Sequence, residues 1–328
     1  MKKIMQNDLV KNSKIGLGTF PFSGVFSEIN NEIVEQIISK FFSLGGTYVE
    51  TAPVYPRNNI HLGKILSKFP RESFQLASKC VTGQDESGNK FRSGKRDHII
   101  RQCHMELKRL NTSYLDLLQS HIVAEDATIE ETAEALQYLK DEGFTKEIGV
   151  SNVSLSQLKE FSEHSEVKYV QNRFSLIHQS QNRSIENYCK ENDIWLNPFQ
   201  VIERGLLTSH PTRDGKWREK DLRNSKHEYK GDAFFTIRKW VENKLLPIAS
   251  NENVSLESLI IAWTCVQPQV KICVIGVTKP IQLENIFESM RISLSKEIIN
   301  EINAAYESLS YQIKDSYNLT IEEFRGLK

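Results

Sequence analysis

The amino-acid sequence predicts an α/β fold, a single (β/α)8 barrel of the TIM type. Short β-branched and aromatic runs alternate with helical apolar patterns along almost the whole chain. Strict alternation implies parallel strands joined by helical crossovers, and eight such units in roughly 300 residues fit a closed barrel better than an open sheet. An open dinucleotide-binding sheet would also carry G-x-G-x-x-G after its first strand, whereas only Gly16-x-Gly18 is present.

The first half of the chain supplies four strand–helix units. Asn30 is a helix cap, and apolar residues then recur at spacings of three and four until Gly45 ends the helix. Further helices are expected over 58–69 and 95–110, the second after a polar, glycine-bearing loop. The predicted strands are residues 14–20, 47–50, 74–79 and 114–120.

The second half repeats the pattern, with Gly143 ending the first helix and Pro280 opening a late one. Predicted strands are residues 146–150, 167–170, 194–199 and 270–275. Predicted helices are residues 129–142, 154–163, 184–192, 234–250, 255–266 and 295–309. A long loop over 200–231 follows the seventh strand, and a polar tail over 310–328 ends a chain predicted to form one domain, residues 1–328.

Composition excludes several classes of protein. The 328 residues include 42 basic and 42 acidic side chains without a long basic run, which argues against nucleic acid and anionic membrane surfaces as partners. No secretory signal or long apolar span is apparent, and the five cysteines form no C-x-x-C pair. The histidines show no metal-ligand spacing. The sequence therefore predicts a cytoplasmic protein without membrane or metal sites.

Polar residues follow most of the predicted strands. In a barrel of this kind, catalytic groups lie at the carboxyl ends of the strands, where apolar side chains would be enough for packing. Seven of the eight strand exits are polar, and this coincidence is the strongest functional signal in the sequence. The exits are Thr19, Glu50, Lys79, His121, Ser151-Asn152, Gln171-Asn172, Phe199 and Thr278-Lys279.

A carboxylate, a phenol and an amine come from two neighbouring strands. Glu50 ends one strand, Tyr55 follows it past Pro53, and Lys79 ends the next strand. An ammonium group beside a phenol favours the phenolate and lowers the pKa of the phenol. The pattern therefore predicts that Tyr55 is a proton donor near neutral pH.

The order of short motifs along the chain resembles that of the aldo-keto reductases, over about residues 14–310. The motifs are G-x-G-T, E-T-A-P-x-Y, L-G-K, S-K, Q-S-H, I-G-V-S-N, Q-N-R-F-S, R-G-L-L-T and G-V-T-K-P-x-Q-L. The segment from Asp221 to Asp232 resembles the long loop of the family's bacterial and aryl-alcohol branches. The resemblance implies a barrel that binds NADPH across its mouth and reduces small carbonyl compounds without a metal ion.

The resemblance also implies roles for four residues. Tyr55 matches the family's proton donor, Lys79 the lysine that tunes it, and His121 the histidine that orients the carbonyl oxygen. Glu50 stands where the family normally has aspartate, and its extra methylene displaces the carboxylate by roughly one carbon–carbon bond.

A second group of residues matches the family's cofactor contacts. Ser151, Asn152 and Gln171 match residues that bind the nicotinamide carboxamide, and Phe199 matches the ring that stacks on it. Thr278 and Lys279 match the 2′-phosphate contacts, which implies a preference for NADPH, and Asn285 matches an adenine contact. The full set of implied cofactor residues is Thr19, Ser151, Asn152, Gln171, Phe199, Thr278, Lys279, Gln282 and Asn285.

Two other functions remain open from the sequence. One is an NADPH-binding barrel with little turnover that acts as a subunit of a larger partner, which the Glu50 difference and the polar tail favour. The other is a sugar or sugar-nucleotide oxidoreductase, whose polyol substrate would suit Arg57, Asn58 and Asn59 behind Tyr55. A charge-rich segment, residues 216–230, is predicted to be a solvated loop or a lid over the cofactor.

Overall fold

The computed structural model describes residues 13–84, 89–179, 183–209 and 216–309. Eight of the strands in these ranges form one parallel sheet in the order β10-β1-β2-β3-β6-β7-β8-β9, and β4 pairs with β5 in a separate antiparallel hairpin. The strands are β1 (Ile15–Gly18), β2 (Tyr48–Glu50), β3 (Gln75–Cys80), β4 (Thr82–Gln84), β5 (Lys90–Arg92), β6 (Leu115–Ser120), β7 (Thr145–Ser151), β8 (Val167–Gln171), β9 (Trp195–Leu196) and β10 (Cys273–Ile275).

The sheet curls until its two edge strands meet. Isolated parallel bridges join Leu196 to Val270 and Phe199 to Val274. The amide of Val274 donates to the carbonyl of Pro198 at 2.8 Å, which adds a hydrogen bond at this seam. The prediction of eight parallel strands is confirmed, whereas the ladder between β9 and β10 is not continuous and the ring is not strictly closed.

Helices alternate with the strands and cover the outside of the sheet. Several N-termini carry side-chain caps: the Asn30 carboxamide accepts from the amide of Ile33 at 2.9 Å, as expected, and Ser154 with Gln157 forms a capping box. The helices are α1 (Asn31–Ser43), α2 (Pro56–Leu66), α3 (Arg96–Leu110), α4 (Ile129–Asp141), α5 (Leu155–His164), α6 (Arg183–Glu191), α7 (Gly231–Trp240), α8 (Leu246–Asn251), α9 (Leu256–Cys265), α10 (Gln282–Glu288) and α11 (Lys296–Glu307).

Alternate strand residues face the helices and the interior of the curled sheet. Outward side chains join the helices in the main core, while a small apolar cluster that includes Tyr48, Ala77 and Val274 fills the interior. A Cβ atom added to Gly16 would lie 2.6 Å from Ile272 Cγ2 and 2.7 Å from Tyr48 Cδ1. The first glycine of the early pair therefore makes room for the interior side chains of neighbouring strands.

Three regions differ from the sequence prediction. The polar loop after β3 contains the hairpin of β4 and β5, because Thr82 to Gln84 pairs with Lys90 to Arg92. The predicted helix 234–250 begins at Gly231 and is interrupted by a π-helical turn, Val241–Leu245, between α7 and α8. The loop 200–231 contains short 3-10 turns, Glu203–Gly205, Leu222–Ser225 and His227–Tyr229.

Some predicted segments lie outside the described residues. These are the polar tail 310–328, residues 1–12, residues 85–88 of the polar loop after β3 and residues 210–215 within the long loop. The side chains of Arg57 and Asn58, suggested as polyol contacts, also lie outside the described part of the chain. Of the helices that the structure describes, none has both the length and the apolar character needed to cross a bilayer.

Candidate active site

Four polar side chains occupy the interior near the carboxyl ends of the strands. β2 pairs with β3, and β3 pairs with β6, so the exits of these strands are neighbours. Glu50, Lys79 and Gln119 share the alternation of the interior residues Tyr48, Ala77 and Leu117 on the same strands. Gln171 of β8 joins them across the interior, and all four side chains are buried. The structure therefore forms a polar layer above the apolar cluster.

Glu50 and Lys79 form a buried ion pair. The Lys79 ammonium also donates to the Thr51 carbonyl at 3.2 Å. Burial lowers the pKa of Lys79 to about 7, and the Glu106 carboxyl acts in the opposite direction. Contact with the Glu50 carboxylate also favours the charged amine, so the lysine and the glutamate titrate as a pair.

Tyr55 lies at the start of α2, on the loop that leaves β2. Its amide donates to the Ala52 carbonyl at 3.0 Å, and its ring packs against Phe20 with centroids 5.2 Å apart. Among the described residues, no hydrogen bond joins its hydroxyl to Lys79 or His121. Burial raises the pKa of Tyr55, and Arg204 partly opposes this effect. The direction is opposite to the lowered value that the sequence suggested, and the phenol is protonated at neutral pH.

The His121 imidazole is neutral and held by a threonine. Its Nδ1 lies 2.7 Å from the hydroxyl of Thr82, the first residue of the hairpin strand β4. Burial lowers the pKa of His121 well below its usual range, and the positive charges of Lys79 and Arg92 lower it further. A neutral imidazole has one nitrogen that accepts and one that donates. In the tautomer whose Nδ1 accepts from the Thr82 hydroxyl, the Nε2–H group is the donor.

Side chains of α2 and α3 hold the loop between Glu50 and Tyr55 through a buried hydrogen-bond network. The Asn59 amide donates to the Ala52 carbonyl at 2.9 Å and to Glu106 Oε1 at 2.6 Å. Asn59 also accepts from the Thr51 hydroxyl, which in turn accepts from Thr19 at 2.9 Å. These bonds engage the side chains of Thr19 and Asn59 in the scaffold, whereas the sequence suggested a cofactor contact for Thr19 and a polyol contact for Asn59.

A side-chain hydrogen bond joins the carboxyl ends of β7 and β8. Ser151 Oγ donates to the Gln171 carbonyl at 2.7 Å, and Asn152 Nδ2 donates to the His121 carbonyl at 3.0 Å. Asn152 has a left-handed backbone with φ of 55°, a conformation that asparagine tolerates. The Gln171 side chain is engaged by Gln119 and Glu50. Ser151, Asn152 and Gln171 therefore lie together beside His121, as the sequence predicts for one rim.

The remaining candidates for cofactor binding lie at the seam and after β10. Phe199 is half-buried above the interior cluster and bridges Val274 across the seam. Gln282 Oε1 accepts from the amides of Thr278 and Lys279 at 2.8 and 3.0 Å, so this glutamine shapes the turn. The side chains of Lys279 and Asn285 are exposed.

A buried ion pair anchors the loop that follows β9. Arg173 Nη2 lies 2.5 Å from Glu203 Oε2, and Ser175 Oγ donates to the other carboxylate oxygen at 2.5 Å. Burial raises the pKa of Glu203, but Arg173 outweighs it and the carboxyl titrates below its usual range. Glu203 and Arg204 both have positive φ angles, 46° and 49°, so this turn is held in a left-handed conformation.

Sequence reasoning missed three residues around this site: Thr82, Glu106 and Gln119. Thr82 lies in a segment that the sequence predicts to be a boundary between strand and loop. Glu106 interrupts the apolar face of α3 and is almost fully buried. Gln119 is a polar residue at an inward position of the apolar strand β6, and this alternation was the signal that could have identified it.

Comparisons with known proteins identify the family of the chain. The model of the aldo/keto reductase family matches residues 14–307. The chain belongs to the aldo/keto reductase family. The aldo-keto reductase YhdN of Bacillus subtilis is 31% identical over 305 residues, which are 91% of each chain. The NADH-specific methylglyoxal reductase of Escherichia coli is 25% identical over 313 residues, covering 90% of this chain and 95% of its own.

Solved structures show the same fold. The glycerol dehydrogenase from Gluconobacter oxydans superposes with a TM-score of 0.82 at 24% identity, over 90% of this chain and 92% of its own. The aldo-keto reductase from Bacillus halodurans, in its holo form, superposes with a TM-score of 0.72 at 21% identity, over 92% and 95%. Fold neighbours of this family are TIM barrels, in agreement with the eight parallel strands.

Membership of the aldo/keto reductase family defines the class of reaction. Its members are NAD(P)H-dependent oxidoreductases that interconvert carbonyl and CH–OH groups of small molecules. Within the described ranges, no three His, Cys, Asp or Glu side chains are grouped so that they could hold a metal ion.

Proposed function

We propose that the protein is an NADPH-dependent reductase of small aldehydes or ketones, with Tyr55 as the proton donor. The observation that carries the proposal is the meeting of a buried Glu50–Lys79 pair and a neutral His121 at one rim of the sheet, next to the loop that bears Tyr55. We further propose that the described elements form one domain, a TIM barrel in which the β9–β10 seam completes the ring.

The residues at the rim and the seam fit a nicotinamide nucleotide. Phe199 offers a half-buried ring beside the polar layer, and Asn152 follows the exit of β7 with its side chain on the His121 carbonyl. Lys279 offers an exposed ammonium group after β10. When bound, such a nucleotide supplies the hydride for carbonyl reduction.

The chain's own side chains then act on the carbonyl oxygen. Oxygen gains negative charge as the carbonyl is reduced, so donors must be in place beforehand. The protonated Tyr55 hydroxyl and the Nε2–H group of His121 are two such donors. The Lys79 ammonium lowers the energy of the phenolate that remains after Tyr55 gives its proton, and Glu50 holds the lysine.

Replacing Tyr55 by phenylalanine tests this role. We expect Tyr55→Phe to lower kcat for carbonyl reduction by at least about 100-fold, because proton donation in the transition state contributes that much. The dissociation constant for NADPH should stay within twofold, as measured by protein fluorescence. A panel that includes methylglyoxal, with glycerol for the reverse reaction, is suitable because two relatives are named for these compounds.

The outcome of the panel separates this proposal from its main rival. Tight NADPH binding without turnover of any carbonyl compound would favour a binding subunit of a larger partner. The sugar-specific alternative has lost one supporting residue, because Asn59 is buried within the scaffold.

Preference for NADPH is tested at Lys279. A lysine near the 2′-phosphate attracts a charge that NADH lacks. We expect Lys279→Ala to lower kcat/KM with NADPH by about tenfold and to leave kcat/KM with NADH unchanged. Lys271→Ala, another exposed lysine, is the control. Equal use of both cofactors by the unmodified protein would contradict the preference, and one relative is named as NADH-specific.

A further inference from the structure

A chain of side-chain hydrogen bonds crosses the interior from β6 through β8 to β2. Gln119 Nε2 donates to Gln171 Oε1 at 2.7 Å, and Gln171 Nε2 donates to Glu50 Oε1 at 3.1 Å. Glu50 is paired with Lys79. Gln119 is fully buried, and Gln171 and Glu50 are 3% and 5% exposed. The last link of the chain therefore contacts the ion pair of the proposed reaction.

The chemistry of the three groups fixes which group donates and which accepts in each of these hydrogen bonds. An ionised carboxylate only accepts hydrogen bonds, so Gln171 must turn its NH2 group toward Glu50. Its oxygen then faces the NH2 group of Gln119, and Gln119 Oε1 is left buried without a partner among the described residues. The protein tolerates this unsatisfied acceptor, which a hydrophobic residue at position 119 would avoid.

The length of the Glu50 side chain decides whether the hydrogen bonds from Gln119 through Gln171 reach the ion pair. An aspartate carboxylate would lie about one carbon–carbon bond, roughly 1.5 Å, nearer to β2. The separation of 3.1 Å from Gln171 Nε2 would then exceed hydrogen-bond distance. The glutamate that differs from the usual family residue is thus also the residue that makes the contact possible.

β7, the strand between β6 and β8, leaves space for the chain. A Cβ atom added to Gly149 would lie 2.9 Å from Gln119 Cγ and 3.2 Å from Gln119 Oε1. No side chain at position 149 therefore separates Gln119 from Gln171.

We propose that Gln119 and Gln171 are positioning residues that hold the Glu50 carboxylate against Lys79. The inference rests on the proposed reductase function and adds a second role for Gln171 to the nicotinamide contact implied by the family resemblance. Gln119 acts through Gln171 and touches neither substrate nor cofactor.

The first test measures the hydrogen-bond chain without cofactor or turnover. Four proteins are unfolded in urea: the unmodified protein, Gln119→Met, Glu50→Asp and the double variant. We expect Gln119→Met to lower the urea midpoint of the unmodified protein by more than that of the Glu50→Asp variant, since the hydrogen-bond chain no longer reaches the shorter carboxylate. Equal shifts in both backgrounds would overturn the proposal. Methionine keeps the side-chain volume close to that of glutamine, and Gln119→Leu serves as a second variant if the first fails to fold.

The second test measures the effect on the reaction. We expect Gln119→Met to lower kcat about tenfold, because misplacing a catalytic group costs rate even when binding is intact. The NADPH dissociation constant should stay within twofold, and the basic limb of the pH–rate profile should move to lower pH because the ion pair is held less well. Gln137→Met on α4, where the glutamine bonds to Asp141 and to the amide of Glu166, is the matched control.

The outcomes distinguish the chain from the wider function. Weakened NADPH binding with unchanged kcat would overturn the proposal, because Gln119 would then act only on the cofactor contact of Gln171. Absence of turnover in the unmodified protein would defeat the reductase function, while the urea cycle would still decide whether the chain holds Glu50.

Discussion

At the scale of single residues, burial sets the charge of the groups at the rim. Burial raises the pKa of Tyr55, lowers that of His121 and lowers that of Lys79 to about 7. The phenol and the imidazole are both neutral at physiological pH. Of these three groups, only the lysine, paired with Glu50, titrates near that range, so the pH dependence of the reaction should report this pair.

The pH dependence of reduction tests the charge of Lys79. Burial lowers the pKa of Lys79 to about 7 and the Glu50 carboxylate opposes this shift, so the ammonium is lost at a lower pH than in a free lysine. We expect kcat/KM for reduction to fall about tenfold for each pH unit above the apparent pKa. Lys79→Met should be slow and lack this limb. A flat profile up to about pH 9 in the unmodified protein would contradict the assignment.

The stability of the fold should change in the opposite direction over the same range. A lysine in the unfolded chain keeps its proton up to about pH 10.4, so the unfolded state binds more protons between these pKa values. The burial cost of the ammonium is present below about pH 7 and decreases as the pH rises. The contribution of Lys79 to the free energy of unfolding therefore increases from neutral to alkaline pH.

Whether a site residue can be predicted from the sequence depends on its position within its strand or helix. Glu50, Lys79 and His121 could be identified because each ends an apolar strand. Gln119 lies within its strand, and Glu106 lies within a helix, where a single polar residue usually faces solvent. The alternation of β6 places Gln119 inward, but its partner Gln171 is distant in sequence and local periodicity does not identify it. The same holds for Glu106 and its partner Asn59.

At the scale of elements, the hairpin of β4 and β5 connects the parallel sheet to the His121 imidazole. The period of apolar residues predicted the strands and most helices, because each packs one face against a core. The hairpin strands consist mostly of polar residues and glycine, so their sequence resembles that of a loop. It nevertheless places the Thr82 hydroxyl 2.7 Å from His121 Nδ1.

Removal of this hydroxyl tests the hairpin's role. We expect Thr82→Val to lower kcat about tenfold, because the imidazole loses the partner that keeps Nε2–H directed as a donor. The change in unfolding free energy should be small, since Thr82 is only partly buried. Thr82→Ser retains the hydroxyl and should keep most of the activity. Equal losses in both variants would show that the hydroxyl is not responsible.

At the scale of the whole molecule, the Arg173–Glu203 pair joins the exit of β8 to the loop after β9. Tyr229, at the far end of that loop, donates from its hydroxyl to the Glu203 carbonyl at 3.1 Å. The amide of Leu222 donates to the Val25 carbonyl at 2.9 Å. The loop therefore crosses between the first and seventh barrel units.

Breaking the buried pair tests how much this connection contributes to stability. We expect Arg173→Ala to lower the free energy of unfolding by about 3–5 kcal/mol, because Glu203 would remain buried without its partner. Arg218→Ala removes an exposed pair with Glu28 and should change it by less than about 1 kcal/mol. Chemical denaturation measures both. A similar loss in the two variants would argue against a structural role for the buried pair.

The hydrogen-bond ladder between β9 and β10 is discontinuous, so we expect the sheet to open most easily at this seam. Local opening is easiest where few backbone hydrogen bonds must break, so we expect the amide protons of Lys271 and Val274, which donate to the Leu196 and Pro198 carbonyls across the seam, to exchange with solvent before those of β6 and β7. Phe199 stands on one side of this seam, and Thr278 follows the strand on the other. A nucleotide that contacts both Phe199 and Thr278 would slow amide exchange at the seam. Part of its binding free energy would then be used to hold the two edge strands together.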